Sequence, residues 1–348
     1  MIAPVSSTQG PVSVSSPEAL EDYAADEADT VSLEVEDAHE VRRVAVDAAL
    51  HDERLDKAMA GLVPEFSRSY LQQLLAQGCV QLNGRLATKA SARVKAGDVI
   101  SVEMRPTQQS QAFRPEVLPL NVVYEDEYLL VVDKPAGLVV HPAPGHWSGT
   151  LLNALLGRDP RALLVPRAGI VHRLDKDTSG LMVVARSRFV MDALVRMIAE
   201  REVSRQYLAL GWGRWSGQPH RAVNAPMGRD PRNRLRMAIV DLSVHPGKAA
   251  RTDVDFLDGC DEASLVRCTL HTGRTHQIRV HMASLKHPLV GDALYGGENG
   301  GGMARQALHA FRLAFRHPIS NADLVFRSDL PPDMRQALDF WGLSYNPA

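Results

Sequence analysis

The spacing of apolar residues divides the chain before any single residue draws notice. Residues 1–40 are Ser, Pro, Ala and acid with few large apolar side chains, a composition that cannot bury enough area to offset chain entropy. Residues 1–45 are therefore read as a disordered acidic tail. Leu55, Ala58, Met59 and Leu62 then recur at helical spacing. A second helix is predicted from Ser67 as N-cap, through Leu71, Leu74 and Leu75 on one face, to Gly78 just past its end. Val80-Gln81-Leu82, the turn pair Asn83-Gly84 and the alternating run 99–104 predict a small strand-rich element that closes a module over residues 50–105.

Residues 106–119, rich in Pro and Gln and without period, read as a linker. A larger domain is predicted over residues 120–330, with a C-terminal extension over 331–348. Apolar runs at 129–132, 169–172, 181–185, 207–211, 265–270 and 277–282 predict strands, and Val190, Leu194, Met197 and Ile198 share one face of a helix over 189–202. Parallel βαβ units would need a helix between nearly every pair of strands. Here several strands follow one another directly, so the expected fold class is α+β on a mainly antiparallel, mixed sheet. The run GGENGGG at 296–302 reads as a flexible surface loop.

Composition narrows the class. No apolar stretch in the 348 residues approaches the roughly 20 that a membrane-spanning helix needs. Cys79, Cys260 and Cys268 are too few for a disulfide framework and lack zinc-ligand spacing, and residues 1–10 lack the basic flank and apolar run of a secretory signal, so a cytoplasmic chain is expected. The net charge of −2 hides an asymmetry: residues 1–41 hold ten acidic and no basic residues, leaving 39 basic against 31 acidic in the rest. A basic body suits a polyanionic partner such as nucleic acid.

Two segments concentrate chemistry. Apolar runs flank the polar loop 172–180, which carries Arg173, Asp175, Asp177, Thr178 and Ser179, the way reactive groups are presented on a rigid scaffold. A lone Asp in such a loop serves an Asx-turn or a surface ion pair equally well. Asp177-Thr178-Ser179-Gly180 is also the turn type of aspartic proteases, but the second carboxylate turn of that reaction is missing from the sequence. Residues 270–282 bring Arg274 and Arg279 together with His271, His276 and His281. Histidines five apart share no face of a strand or helix, so no metal site is expected. A buried arginine requires a carboxylate or phosphate partner, for which Asp175 is a candidate. Arg229, Arg232, Arg234 and Arg236, with Lys248, crowd a segment suited to phosphate contact, whereas the turn at Lys134-Pro135-Ala136-Gly137 reads as structural.

Four motifs in order, VDKPAGLVVHP at 132–142, HRLDKDTSG at 172–180, RQY at 205–207 and GRTHQIRVH at 273–281, closely resemble those of RNA pseudouridine synthases of the ribosomal large-subunit type. Residues 53–104 likewise resemble the S4-like RNA-binding module that stands N-terminal in this family, with matching points at 54–56, 67–69, 78–80 and 83–84. The resemblance implies a bent sheet with a central cleft and isomerisation of uridine to pseudouridine in RNA without metal or organic cofactor. By the motif match Asp175 is the catalytic aspartate, Arg279 its charge partner and Tyr207 the tyrosine against the target base. Arg173 matches the residue that fills the space of a flipped base, and Ile278 would floor the ring. Arg229, Arg232 and Arg234, and in the N-terminal module Arg54, Arg68, Lys89 and Lys95, would contact RNA. The implied partner is large-subunit ribosomal RNA or a pre-ribosomal particle, met by a monomer with no membrane association. The rival readings are a catalytically idle RNA-binding or assembly factor of the same fold, and an aspartic hydrolase.

Overall fold

The computed structural model describes residues 40–63, 67–105, 112–143, 145–233 and 235–346. The expected acidic tail up to residue 39, residues 106–111 of the linker and Arg234 lie outside the described residues. The chain forms two compact units that divide between Ala112 and Phe113.

The N-terminal unit holds β1 (Glu40–Ala45), α1 (Leu55–Leu62), α2 (Arg68–Ala76), β2 (Val80–Leu82), β3 (Arg85–Leu86) and β4 (Val99–Met104). Its sheet runs in the order β1-β4-β2-β3. The Ser67 side chain accepts from the Tyr70 N–H, and Gly78 stands at φ +74° after the last helical turn, so both predicted ends of α2 are where the capping chemistry puts them. Asn83 and Gly84 both take positive φ, as a two-residue hairpin turn demands. Leu55, Met59, Leu71, Leu74, Val80, Ile100 and Val102 form the core. One expectation is corrected: residues 40–45, read as part of the tail, form β1, paired antiparallel with β4 from Glu40 opposite Met104 to Ala45 opposite Val99. Val41 is half exposed, so tertiary pairing and not burial of a strong apolar run makes this strand.

The larger unit comprises β5 (Asn121–Glu125), β6 (Leu129–Lys134), α3 (Leu151–Arg158), β7 (Ser179–Ala185), α4 (Arg188–Ala199), β8 (Ser204–Trp212), β9 (His220–Asn224), β10 (Met227–Arg229), β11 (Met237–Ile239), β12 (Arg251–Gly259), β13 (Ala263–Leu270), α5 (Gln277–Ser284), β14 (Leu308–Arg316), β15 (Asp323–Arg327) and α6 (Pro332–Trp341). Nine strands make one sheet, ordered β5-β6-β7-β14-β8-β13-β12-β9 with β15 also on β14. Only the β7–β14 pair is parallel among the described ladders, which makes the sheet mixed and mainly antiparallel. Alternate residues of each central strand serve opposite faces. On one face Val132, Met182, Tyr207 and Ala209 pack with α3 and α5; on the other, Val131, Val183, Leu208 and Leu210 pack with α4 and α6. Among the described residues no helix is long and apolar enough to cross a membrane.

Four further expectations change. Residues 277–282 are helix and not strand. Ile278, Val280 and Met282 alternate with polar residues, which mimics a strand, but this helix is buried on every side and so lacks the polar face that would reveal a 3.6-residue period. Its polar residues are satisfied instead: the Gln277 amide bonds Thr252 and the Arg251 carbonyl, and His281 bonds Thr252. The strand expected at 169–172 shrinks to one bridge between Ile170 and Val184, because Pro166–Gly169 is a 3₁₀ turn that brings Gly169 so close to the Ala185 carbonyl that a Cβ would meet its oxygen at 1.8 Å. The supposed C-terminal extension supplies α6, whose Met334, Ala337 and Leu338 complete the core on the second face. The glycine run at 296–302 is packed and not free, with Gly297 against the Leu289 carbonyl and Gly300 against the Trp212 and Trp341 rings.

Candidate active site

The loop between Ile170 and β7 is held at several points along its length. Lys134, at the end of β6 and almost wholly buried, donates from Nζ to the carbonyls of Pro135, Leu138 and Lys176, each at 2.9 Å. Burial pulls its pKa down to about 7, opposed by the charges of Asp175 and Asp177. The Gly137 N–H, at φ +88°, donates to the same Lys176 carbonyl, so the Lys-Pro-Ala-Gly turn serves as a brace for the loop. Arg305 donates to the Asp177 carbonyl at 2.9 Å while its other edge grips Asp333 of α6 at 2.6 and 2.9 Å. His172 accepts from the Val183 N–H, and burial lowers its pKa to about 3, which leaves it a neutral packing group.

This bracing presents Asp175. Its Oδ2 accepts from Arg279 Nη1 at 3.1 Å, and its side chain is 16% exposed. Arg279 projects from α5 and is held from behind by Asp292, which accepts from Nε and Nη2 at 2.8 Å each. Burial works against the Arg279 charge, but the hydrogen bonds and charges of Asp292 and Asp175 more than offset it, so the pKa is raised. A buried guanidinium forked onto one carboxylate has a fixed orientation, and its remaining N–H is then aimed at the other. Asp292 escaped the sequence reading. The available signal was the need of a buried arginine for a carboxylate, which that reading assigned to Asp175 alone.

Tyr207 and Arg205 sit two apart on β8 and so face the same side. Both line the cavity that also contains Arg173, Asp175, Arg274, His276, Ile278 and Arg279. Burial pushes the Tyr207 hydroxyl up to about 12, with Arg205 opposing and Asp175 adding to the shift, so the phenol keeps its proton across the neutral range. Ile278 is buried beside it and Arg173 is exposed at the cavity margin. Arg205 is 6% exposed, and its Nε has no hydrogen-bond partner among the described residues. It too was missed, because a strand residue in a short polar run gives no sign of its burial. The structure thus brings Asp175, Arg279, Tyr207, Ile278 and Arg173 to one place.

The remaining sequence candidates lie elsewhere. Arg229 and Arg232 are exposed on the hairpin formed by β10 and β11, where Arg236 lies over the Tyr295 ring at 5.2 Å. In the N-terminal unit Lys89 and Lys95 are exposed. Arg54 and Arg68 are committed to fold as well as surface, since both grip Asp56, a buried carboxylate in the first turn of α1, at 3.0 and 2.6 Å. Among the described residues no group of three His, Cys, Asp or Glu side chains could hold a metal ion.

The RNA pseudouridylate synthase family profile matches residues 128–284, and the S4 domain profile matches residues 53–100. A ribosomal large subunit pseudouridine synthase D of Nitrosomonas europaea is 46% identical over 293 residues, covering 82% of this chain and 83% of the relative. The protein of the same name in Xanthomonas campestris is 44% identical over 312 residues, covering 86% and 92%. Among solved structures, the human RNA pseudouridylate synthase domain containing 4 aligns with a TM-score of 0.51 at 22% identity over 65% of this chain and 94% of that one, a likeness of fold. Identity of this degree over most of both chains is a family relationship, and this chain belongs to the RNA pseudouridine synthases.

Proposed function

We propose that the protein isomerises uridine to pseudouridine in large-subunit ribosomal RNA, with Asp175 as the catalytic carboxylate. The observation that carries this reading is the Asp175–Arg279 pair inside a cavity shared with Tyr207. The carboxylate can add to C6 of uracil or to C1′ of ribose, or assist loss of the 2′ proton; each route uses an anionic oxygen. Arg279 holds that oxygen in place by a charge-assisted hydrogen bond. The released base then turns and rejoins through C5, so no atom is gained or lost.

Tyr207 offers an aromatic face to the base and a hydroxyl that remains a donor. Ile278 floors the ring, and Arg173 at the margin fills the space of the extruded nucleotide, because a stacked uridine shields both C5 and its glycosidic bond. Arg205 fits an anionic ligand, since its buried Nε has no hydrogen-bond partner among the described residues and a phosphate oxygen would supply one. Arg229 and Arg232 on the hairpin, and Lys89 and Lys95 in the N-terminal unit, add phosphate contacts of the kind that position a protein without reading sequence. The enzyme works as a cytoplasmic monomer on ribosomal RNA or an assembling large subunit.

Mapping pseudouridines in ribosomal RNA from cells with and without this gene tests the substrate. Loss of one or a few large-subunit sites, restored by the wild-type gene, is the expected result. Unchanged large-subunit maps would overturn it.

A further inference from the structure

Asp175 has a second oxygen, and what faces it has no assigned role. His276 Nε2 lies 3.9 Å from Asp175 Oδ1. The opposite ring nitrogen, Nδ1, lies 2.8 Å from the Tyr295 hydroxyl, which in turn accepts from the Met237 N–H at 2.9 Å. His276 stands immediately before α5 at φ +57°, a left-handed conformation that a non-glycine residue adopts at some cost and that surrounding contacts must enforce. Such an outlier beside a reactive carboxylate asks for a reason.

The proton inventory supplies one. A phenol has one proton and two lone pairs. The Met237 N–H occupies one lone pair of Tyr295, and burial raises the Tyr295 pKa, so its proton stays and points to Nδ1. Burial lowers the His276 pKa, opposed by Asp175, which leaves the ring neutral with a single N–H. Nδ1 is then the acceptor and the proton resides on Nε2, the atom turned toward Asp175. A neutral histidine without this neighbour would be free to place its proton on either nitrogen. The Tyr295 ring has its own place, with Arg279 over it at 5.0 Å and Arg236 at 5.2 Å, so it joins α5, the arginine hairpin and the catalytic carboxylate.

We propose that His276 and Tyr295 form a positioning pair for the isomerisation: Tyr295 fixes the Nε2–H tautomer of His276, and that N–H closes onto Asp175 Oδ1 when RNA fills the cavity. Arg279 and His276 then hold the two carboxylate oxygens from two sides. The present separation is longer than a hydrogen bond, as catalytic contacts often are before substrate tightens them. The same pair gives the hairpin a hydrogen-bonded path to the ring that faces the carboxylate, from Met237 through Tyr295 to His276. The proposal rests on the reading of Asp175 as catalytic.

The test is a mutant cycle read by single-turnover release of tritium from a 5-tritiated transcript of the large-subunit RNA region modified in cells. Tyr295→Phe keeps the ring and removes only the hydroxyl. It is expected to slow the chemical step at least tenfold, with RNA affinity within about twofold of wild type and a fall of only a few degrees in melting temperature, since the Met237 N–H and His276 Nδ1 lose a partner. His276→Ala is expected to lose as much or more, and Tyr295→Phe should cost nothing further in that background. His276→Gln, which carries an N–H donor at similar reach, should recover most of the rate that His276→Ala loses. A wild-type rate in Tyr295→Phe, additive losses in the double mutant, or a defect confined to RNA affinity would overturn the pair. Asp175→Asn measured alongside separates the two levels: activity there would overturn the catalytic reading itself, whereas an inactive Asp175→Asn beside a fully active Tyr295→Phe would overturn only the positioning role.

Discussion

Asp56 and Asp175 are both aspartates withdrawn from water and both gripped by arginine, yet they do opposite work. Asp56, in the N-terminal unit, has a fully buried side chain whose two oxygens accept from Arg54, Arg68 and Gln72. These bonds, led by Arg54 and against the pull of burial, hold its pKa well below the usual carboxylate range. Asp175 accepts from Arg279 at Oδ2, and its Oδ1 faces His276 and the cavity. Saturation makes a carboxylate structural. One oxygen held and the other open to a cavity makes it available to a substrate, and pairing with arginine alone does not distinguish the two cases.

The contrast can be broken at the arginines. The largest loss is expected from Arg279→Met, which strips Asp175 of its charge partner and leaves Asp292 buried and unpaired. Breaking a buried pair costs roughly 3–5 kcal/mol, so both the melting temperature and turnover should fall sharply. A folded variant with undiminished single-turnover rate would refute the role given to Arg279. Next comes Tyr207→Phe, which keeps the ring and removes the raised-pKa hydroxyl; the chemical step should slow by about 10²-fold while RNA affinity holds. A rate within twofold of wild type would return Tyr207 to packing alone.

On the structural side, Asp56→Ala should lower stability by roughly 1–3 kcal/mol, because its arginines are half exposed and can turn to water, and should leave isomerisation at saturating RNA intact. The pH dependence has a definite sign. A folded-state pKa below the unfolded value contributes stability that is present above about pH 4 and is lost as pH falls through the folded pKa. Acid unfolding followed by circular dichroism should show that component in the wild type and lack it in Asp56→Ala. The smallest effects belong to Lys89→Ala and Lys95→Ala, each of which should reduce the log–log salt slope of RNA binding by about 0.7–0.9 with little change in rate at saturation. An unchanged slope would remove these lysines from the RNA surface.

What the sequence disclosed follows the same physics. Elements with a water-facing side were legible: the Leu71, Leu74, Leu75 face of α2 and the Val190, Leu194, Met197 face of α4 carry their period openly. Helix α5 was not, since burial on all sides erased the contrast from which a period is read. Asp175, Arg279 and Tyr207 stood out through ordered motifs. Asp292 and Tyr295 lie in a short run beyond the last of these motifs, and only the fold shows that one forks onto Arg279 and the other onto His276. Strand β1 depended on a partner nearly sixty residues away, which no local pattern announces.

The central claim is that the half-open carboxylate performs the chemistry. Tritium release from 5-tritiated uridine in RNA under single-turnover conditions, compared between Asp175→Asn and Asp177→Asn, tests it most directly. The amide keeps the size of the side chain but supplies no anionic oxygen. Asp175→Asn is expected to release no tritium while binding RNA within a few fold of wild type, and Asp177→Asn, whose backbone carbonyl is what Arg305 holds, should remain active. Turnover near wild type in Asp175→Asn, or loss confined to Asp177→Asn, would contradict the account.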